Sequence, residues 1–239
     1  MEILITNDDG WGSKGILTLT QTMETIAHVT VVAPDGARSG MSNAITVDRP
    51  MTLRLIEHTP TRDVYITNGT PSDCVKLAVN IIYKDTRPDL LLSGINHGSN
   101  AAINVIYSGT MGACFVGCEQ SIPSIGFSLC DHHPDADFSH LQPLIIPIVN
   151  QLLQRGFPDR VCYNINAPIG ELKGIRFTRH ARSHWEKEIA EFIDEKGEPY
   201  YQLQGVFVNH EPQAQDTDEW ALAHGFVAIS PTTIDMTAK

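Results

Sequence analysis

Two adjacent acidic residues near the start of the chain, Asp8 and Asp9, are the first candidates for chemistry. They follow Met1–Ile5, a short apolar run that is typical of a buried strand. Open α/β sheets bind their ligands at the edge formed by the carboxyl ends of the strands, where these two side chains would lie. Because neighbouring carboxylates repel each other, the pair indicates a bound cation, although strand-end acids can also cap a helix or lie in solvent.

Two further polar residues, Ser39 and Asn96, also follow predicted strands and would lie on the same edge of the sheet. With the two carboxylates they form a set of oxygen ligands, which suits Mg²⁺, Mn²⁺ or Ca²⁺ rather than zinc or copper. The sequence therefore predicts one divalent metal ion on these four residues, Mg²⁺ or Mn²⁺ in solution, with Ca²⁺ as a substitute in a crystal. Asp8, Asp9 and Asn96 are also the predicted catalytic residues.

A phosphate-binding site is predicted beside the metal. Ser108-Gly109-Thr110 directly precedes a predicted helix, Met111–Glu119, whose N-terminus offers backbone N–H groups and the positive end of a helix dipole. The same residues could form an ordinary helix cap. Further polar groups on neighbouring loops, at Gly40, Asn43 and Asn100, favour the phosphate site over a cap alone.

A competing hypothesis comes from the glycines that follow the acidic pair. Gly10, Gly12 and Gly15 match the G-x-G-x-x-G pattern of dinucleotide-binding proteins, and Asp35 stands where such a fold places its ribose-binding acid. The adjacent carboxylates immediately before the first glycine would repel a pyrophosphate. A Rossmann-type dinucleotide-binding module or oxidoreductase is therefore the alternative function, ranked below the metal site.

Strands and helices alternate in the pattern of the first 170 residues, which is typical of a doubly wound parallel sheet. Predicted strands lie at residues 1–5, 29–33, 64–66, 90–93, 122–128 and 161–164, and predicted helices at 15–26, 74–82, 111–119 and 141–153. We therefore expect an α/β fold in which residues 1–170 form a Rossmann-like, mostly parallel, three-layer catalytic core. In residues 171–239, two extended segments predict a projecting β-hairpin, and with the C-terminal tail this part would complete the core and form an oligomer interface.

The composition and charge exclude several classes of protein. A net charge of −11 opposes binding to a nucleic-acid polymer. Apolar runs are too short to span a membrane, and the N-terminus lacks the basic residues of a signal peptide, so we expect a cytoplasmic protein without a membrane partner. The five cysteines contain no C-x-x-C pair and predict neither a disulfide framework nor a zinc knuckle.

An ordered set of segments resembles the SurE family (survival protein E), whose members are metal-dependent nucleoside monophosphate phosphatases. The matching segments are ILITNDDG, VVAPDGARSGMSNAIT, NGTPSDCVKLA, PDLLLSGINHGSN and VIYSGTMGA. Further matches nearer the C-terminus are Gly197, Tyr200-Tyr201 and TDEWALAHGFVAISP. They cover most of the chain. The resemblance implies a metal on Asp8, Asp9, Ser39 and Asn96, and a phosphate near Gly40, Asn43, Asn100, Ser108, Gly109 and Thr110.

The resemblance also implies a reaction and an assembly. It implies a 5′-nucleotidase that hydrolyses nucleoside 5′-monophosphates, and in some members 3′-monophosphates and short polyphosphate. We therefore expect a phosphomonoesterase in which a metal-activated water attacks phosphorus while the phosphate-binding donors stabilise the developing charge. The family further implies a homodimer or homotetramer with the hairpin and the C-terminal tail exchanged between subunits.

Overall fold

A nine-stranded sheet forms the centre of the molecule. The computed structural model describes residues 1–238. The strands are β1 (Glu2–Thr6), β2 (His28–Pro34), β3 (Arg54–His58), β4 (Arg62–Thr67), β5 (Leu90–His97), β6 (Ser124–Leu129), β7 (Val161–Ala167), β8 (Ile175–Phe177), β9 (Ser183–Glu186), β10 (Ile189–Ile193), β11 (Pro199–Leu203), β12 (Val206–Asn209) and β13 (Val227–Thr233). The α-helices are α1 (Lys14–Met23), α2 (Pro71–Leu77), α3 (Gly109–Glu119), α4 (Gln142–Arg155) and α5 (Asp218–Ala223).

The strand order in the central sheet is β3-β4-β2-β1-β5-β6-β7-β13-β8. In the stretch β4-β2-β1-β5-β6-β7 of this order, every neighbouring pair of strands is parallel. Strand β3 runs antiparallel to β4, and β13 runs antiparallel to β7. Parallel strands that are joined by helical crossovers bring their carboxyl ends to one edge of the sheet. The predicted α/β fold with a mostly parallel sheet is therefore confirmed.

Helices cover both faces of the sheet, which gives three layers. Along β1 the buried side chains alternate between the faces: Ile3 and Ile5 pack with α1 and α4, and Leu4 packs with α2 and α3. Leu19 of α1 belongs to the core on the face of Ile3 and Ile5, and Val75 of α2 belongs to the core on the face of Leu4. Because a parallel sheet is buried on both faces, its strands are nearly continuous apolar runs, which is the pattern that the sequence shows.

The predicted projecting hairpin is present, but it divides into two short antiparallel ladders. The proximal ladder pairs β9 with β12, and the distal ladder pairs β10 with β11. The break between them lies at Lys187 and Gly205, which adopt φ angles of 54° and 158°. Distal side chains such as Phe192, Tyr201 and Leu203 are exposed.

Part of the C-terminal segment lies in the central sheet, because β13 pairs with β7 and β8 pairs with β13. The division of the chain at residue 170 stays a prediction, and Lys239, at the end of the predicted second segment, lies outside the described residues. None of the helices within residues 1–238 is both long and apolar enough to cross a membrane.

Candidate active site

A cavity of about 550 Å³ opens at the carboxyl edge of the parallel strands. We call it the main cavity. Its lining includes predicted site residues and residues that the sequence did not single out. They are Asp8, Ser39, Gly40, Asn96, His97, Ser99, Asn100, Asn104, Tyr107, Ser108, Cys130, His132, Trp185, Phe207, Glu219 and Leu222.

Asp8 is the buried carboxylate of the main cavity and lies two residues after the end of β1. The hydroxyl of Thr110 donates to its Oδ1 at 2.7 Å, across 102 residues of sequence. The pKa of Asp8 is raised to about 6, mainly by burial and to a smaller extent by the neighbouring Asp9, while the bond from Thr110 opposes the rise. The carboxylate is thus held in a place where a positive charge would stabilise its ionised form.

Asp9 lies beside His97 instead of lining the main cavity. Its Oδ2 accepts from the backbone N–H of His97 at 3.2 Å and lies 2.9 Å from Nδ1 of the same residue. Within residues 1–238, no Lys or Arg nitrogen lies within 4.0 Å of Asp8 or Asp9. Apart from His97, the pair therefore has no basic side chain beside it in the described part of the chain, and a metal ion is the counter-charge that fits it.

Asn96 and Ser39 supply the other two predicted metal ligands, and both line the main cavity. Asn96, near the end of β5, donates from Nδ2 to the carbonyl of Gly98 at 2.8 Å, which fixes the amide and leaves its Oδ1 available as a ligand. Ser39 lies on the exposed loop after β2. Within residues 1–238 there is no group of three His, Cys, Asp or Glu side chains that could hold a metal, so the predicted metal site would depend on these two neutral oxygens.

The predicted phosphate residues divide into those that line the main cavity and those that do not. Gly40, Asn100 and Ser108 line it. Ser108 caps α3 and accepts from the backbone N–H of Met111 at 3.1 Å. Asn43 lines a different cavity, with Phe115 and Glu119.

Gly109 and Thr110 shape the site through Asp8. A Cβ atom at Gly109 would lie 2.9 Å from the Cβ and Oδ2 atoms of Asp8, so a larger residue would displace the carboxylate. Thr110 is fully buried, and its hydroxyl donates a hydrogen bond to Asp8. Only glycine therefore lets the helix N-terminus approach the acidic pair this closely.

A buried amide network holds Asn100 in place. Its backbone N–H donates to Asn166 Oδ1 at 2.8 Å, and its Nδ2 donates to Ser128 Oγ at 2.9 Å. Asn164, also on β7, donates to the Asn100 carbonyl at 2.8 Å. This network was not predicted, although two asparagines inside the apolar strand β7 are a signal in the sequence that points to buried hydrogen bonds.

An aromatic wall closes the cavity on the side of the hairpin. Trp185 of β9 and Phe207 of β12 meet edge to face, with ring centroids 5.6 Å apart. The indole N–H of Trp185 donates to Asn104 Oδ1 at 2.9 Å, which ties the proximal ladder to the loop after β5. Phe207 was not predicted as a partner of Trp185, because only the pairing of β9 with β12 brings the two rings together.

Helix α5 is fixed to the site by Asp218, which is fully buried. Its oxygens accept from the backbone N–H groups of Ala102 at 2.8 Å and Ala181 at 2.9 Å. His180 Nδ1 lies 2.9 Å from its Oδ2. One carboxylate thus joins α5, the loop after β5 and the start of the hairpin.

Replacing Asp218 with Asn is expected to lower the free energy of unfolding by about 2 kcal/mol, because the new amide N–H would face groups that donate to Asp218. Burial opposes ionisation of Asp218, but bonds from His180 and Ala102 outweigh it and hold its pKa below the usual 3.8. The contribution of ionised Asp218 to the free energy of unfolding is therefore complete at neutral pH, and it is lost as the pH falls through the lowered pKa. Urea unfolding of both proteins should show a difference at about pH 7 that shrinks as the pH falls below 3.8; a difference that stays the same would contradict this account.

Comparison with known proteins identifies relatives along the whole chain. The family model of "Survival protein SurE" matches residues 3–187. A protein of Bacteroides fragilis named 5′-nucleotidase SurE is 46% identical over 237 residues, covering 99% of this chain and 92% of that protein. A protein of the same name from Flavobacterium psychrophilum is 47% identical over 241 residues, covering 99% of this chain and 93% of that protein.

A solved structure has the same architecture. The crystal structure of the SurE protein from Aquifex aeolicus matches with a TM-score of 0.85 at 32% sequence identity, covering 99% of this chain and 95% of that one. The resemblance that the motifs indicated is confirmed. The chain belongs to the SurE family.

Proposed function

We propose that this protein is a metal-dependent 5′-nucleotidase that hydrolyses nucleoside 5′-monophosphates. The observation that carries the proposal is one cavity with a buried acidic and amide edge on one side and an aromatic wall on another. A nucleotide has matching parts, because its phosphate is anionic and its base is flat and apolar on both faces. Relatives named 5′-nucleotidase SurE, 46% and 47% identical to this chain, support the same substrate class.

Asp8, Asp9, Ser39 and Asn96 would hold the divalent ion, because they combine two carboxylates that have no Lys or Arg partner with two neutral oxygens. When bound, the ion would supply Lewis-acid activation of a water molecule and neutralise charge on the phosphate. The hydrogen bond between Thr110 and Asp8 would keep that carboxylate oriented before the ion binds. We propose Mg²⁺ or Mn²⁺, the ions that such oxygen sets favour.

The chain's own donors would bind and orient the phosphate. Ser108, Gly109 and Thr110 begin α3, whose N-terminal N–H groups attract anions. Gly40 and Asn100 reach the cavity from neighbouring loops. Asn43 would act through its loop, because the carbonyl of Ser42 and the Cα of Asn43 pack on α3 at Gly112.

The aromatic wall would bind the nucleoside. Trp185 and Phe207 offer a surface for stacking that every base can use, since each base has a π face. Stacking alone accepts different bases and both phosphate positions on the sugar. We therefore include nucleoside 3′-monophosphates and short polyphosphate among the substrates to be tested.

The distal ladder supports a proposal about assembly. Phe192 and Tyr200 stack with centroids 5.4 Å apart, and Ile193, Tyr201 and Leu203 are exposed beside them. An isolated two-stranded ladder with apolar side chains gains stability by packing on another surface. We propose a homodimer or homotetramer in which this ladder contacts another subunit; the cytoplasmic location stays a prediction.

Removal of divalent metal is expected to reduce phosphate release from AMP and GMP to the level of a blank without enzyme, because the acidic pair then lacks its counter-charge. The protein would be treated with EDTA, dialysed, and assayed for inorganic phosphate with Mg²⁺, Mn²⁺ or no addition. Activity should return with at least one ion, and Na⁺ at matched ionic strength is the control.

Either of two results would contradict the proposal. Full activity after chelation would exclude the metal dependence. Tight nucleotide binding without phosphate release, whichever ion is added, would instead favour a binding module based on the glycine-rich turn.

A further inference from the structure

Glu219 is a carboxyl group in the main cavity to which none of the roles above applies. It lies in the first turn of α5, is half-buried, and lines the cavity with Leu222. Its backbone N–H donates to Asp218 Oδ1 at 2.9 Å, but its carboxyl oxygens make no hydrogen bond or ion pair within residues 1–238. A half-buried acid without a partner, directed toward a ligand cavity, is available to a substrate.

The position of Glu219 is fixed relative to the phosphate-binding loop. Its neighbour Asp218 binds the backbone N–H of Ala102 at 2.8 Å, two residues after Asn100. Cys130 lines the same cavity, and burial raises the pKa of its thiol to about 12, with a smaller rise from the nearby charge of Glu219. Glu219 therefore lies beside the loop that carries Asn100.

The groups that face the cavity with Glu219 come from every element around it. They are Cys130 after β6, His132 on the following loop, His97 at the end of β5, Tyr107 before α3, and Asp8 after β1, while Asp218 is buried beside Glu219 on α5. No Lys or Arg of the described chain lines this cavity. Burial, with a smaller effect from Asp218, raises the pKa of Glu219 to about 7. Near neutral pH the group is thus partly protonated and can donate.

We propose that Glu219 is the general acid of the reaction and gives its proton to the leaving oxygen of the nucleoside. The inference rests on the proposed nucleotidase function. The oxygen of the attacking water forms a bond to phosphorus as the ester P–O bond breaks, and the electron pair of that bond goes to the nucleoside oxygen. This oxygen takes the proton of Glu219. One proton of the water stays on the phosphate, the other passes to solvent, and Glu219 regains a proton from solvent.

The choice of substrate can test this role directly. The alkoxide of a nucleoside is a poor leaving group and needs a proton, whereas p-nitrophenolate leaves without one. Glu219→Gln should therefore lower kcat for AMP by about a hundredfold and lower kcat for p-nitrophenyl phosphate by less than about threefold. In the native protein kcat for AMP should fall as the pH rises above about 7, where Glu219 loses its proton, and this alkaline limb should be missing from the variant.

Controls separate this role from a structural one. Glu195→Gln, in the exposed turn between β10 and β11, should leave both substrates and the pH profile unchanged. Equal loss on both substrates, a rise in KM for AMP with unchanged kcat, or an alkaline limb that persists in Glu219→Gln would each overturn the inference. Glu219→Asp should retain more activity toward AMP than Glu219→Gln, and its failure to do so would also count against proton donation.

The failure of the inference can be distinguished from the failure of the proposed function. If the native protein with added metal releases no phosphate from AMP, the nucleotidase proposal is wrong, and the role of Glu219 as general acid is wrong with it. If the native protein hydrolyses AMP and Glu219→Gln matches it, only the role of Glu219 is wrong.

Discussion

Replacing Asp9 with Asn is expected to lower kcat for AMP hydrolysis by about a thousandfold, equivalent to roughly 4 kcal/mol of transition-state stabilisation. The change removes one of the two negative charges that would hold a divalent ion. An Asn side chain keeps an acceptor for the backbone N–H of His97, which now donates to Asp9 Oδ2 at 3.2 Å. The loss should therefore come from charge, not from a disturbed fold. Steady-state kinetics at increasing Mg²⁺ or Mn²⁺, with thermal unfolding in parallel, would measure both.

Asp35→Asn is the matched control, because Asp35 is an exposed acid whose partner is Arg38 at 2.7 Å. Exposed ion pairs of this kind contribute little, so activity should stay close to that of the native protein. The dinucleotide hypothesis predicts the reverse result, in which Asp35→Asn loses function and Asp9→Asn does not. In that hypothesis Asp35 binds the ribose, and the charge of Asp9 repels the pyrophosphate. An Asp9→Asn protein with full activity would exclude the proposed metal site.

Residues at the carboxyl edge of the sheet could be predicted from the sequence, because their position depends only on where each apolar strand ends. Each buried strand is a short apolar run, and the polar residue that follows it must lie at the carboxyl edge once the strands are parallel. Asp8, Ser39 and Asn96 could be placed there without knowledge of any tertiary contact, and all three line the main cavity. Their roles as ligands stay predictions.

What could not be predicted depends on contacts between distant parts of the chain. The bond from Thr110 to Asp8 joins residues 102 positions apart, and that from Ala102 to Asp218 spans 116 positions. A hydroxyl at the start of a helix indicates a cap or a ligand, and nothing in the local pattern shows that it serves a carboxylate. Glu219 was overlooked for the same reason, because only the anchoring of α5 brings it to the cavity.

Replacing Gly15 with Ala is expected to destabilise the protein by about 3 kcal/mol and to reduce activity as well. Gly15 lies in the first turn of α1, and a Cβ atom there would stand 1.9 Å from the carbonyl oxygen of Ile95. This oxygen belongs to the backbone of β5 and cannot rotate away as a flexible side chain would. Either α1 or the end of β5 must move, and β5 carries Asn96 into the proposed metal site. Urea unfolding and the AMP assay would measure the two effects.

Gly12→Ala provides the control and separates two explanations of the glycine pattern. No atom lies within 4 Å of a Cβ at the exposed Gly12, so its replacement should change stability by less than about 0.5 kcal/mol and leave activity unchanged. In a dinucleotide site, however, the second glycine admits the pyrophosphate, and an added methyl group there would abolish binding. A stable Gly15→Ala protein would contradict the packing argument. A Gly12→Ala protein that loses nucleotide binding would show that the turn contacts the ligand.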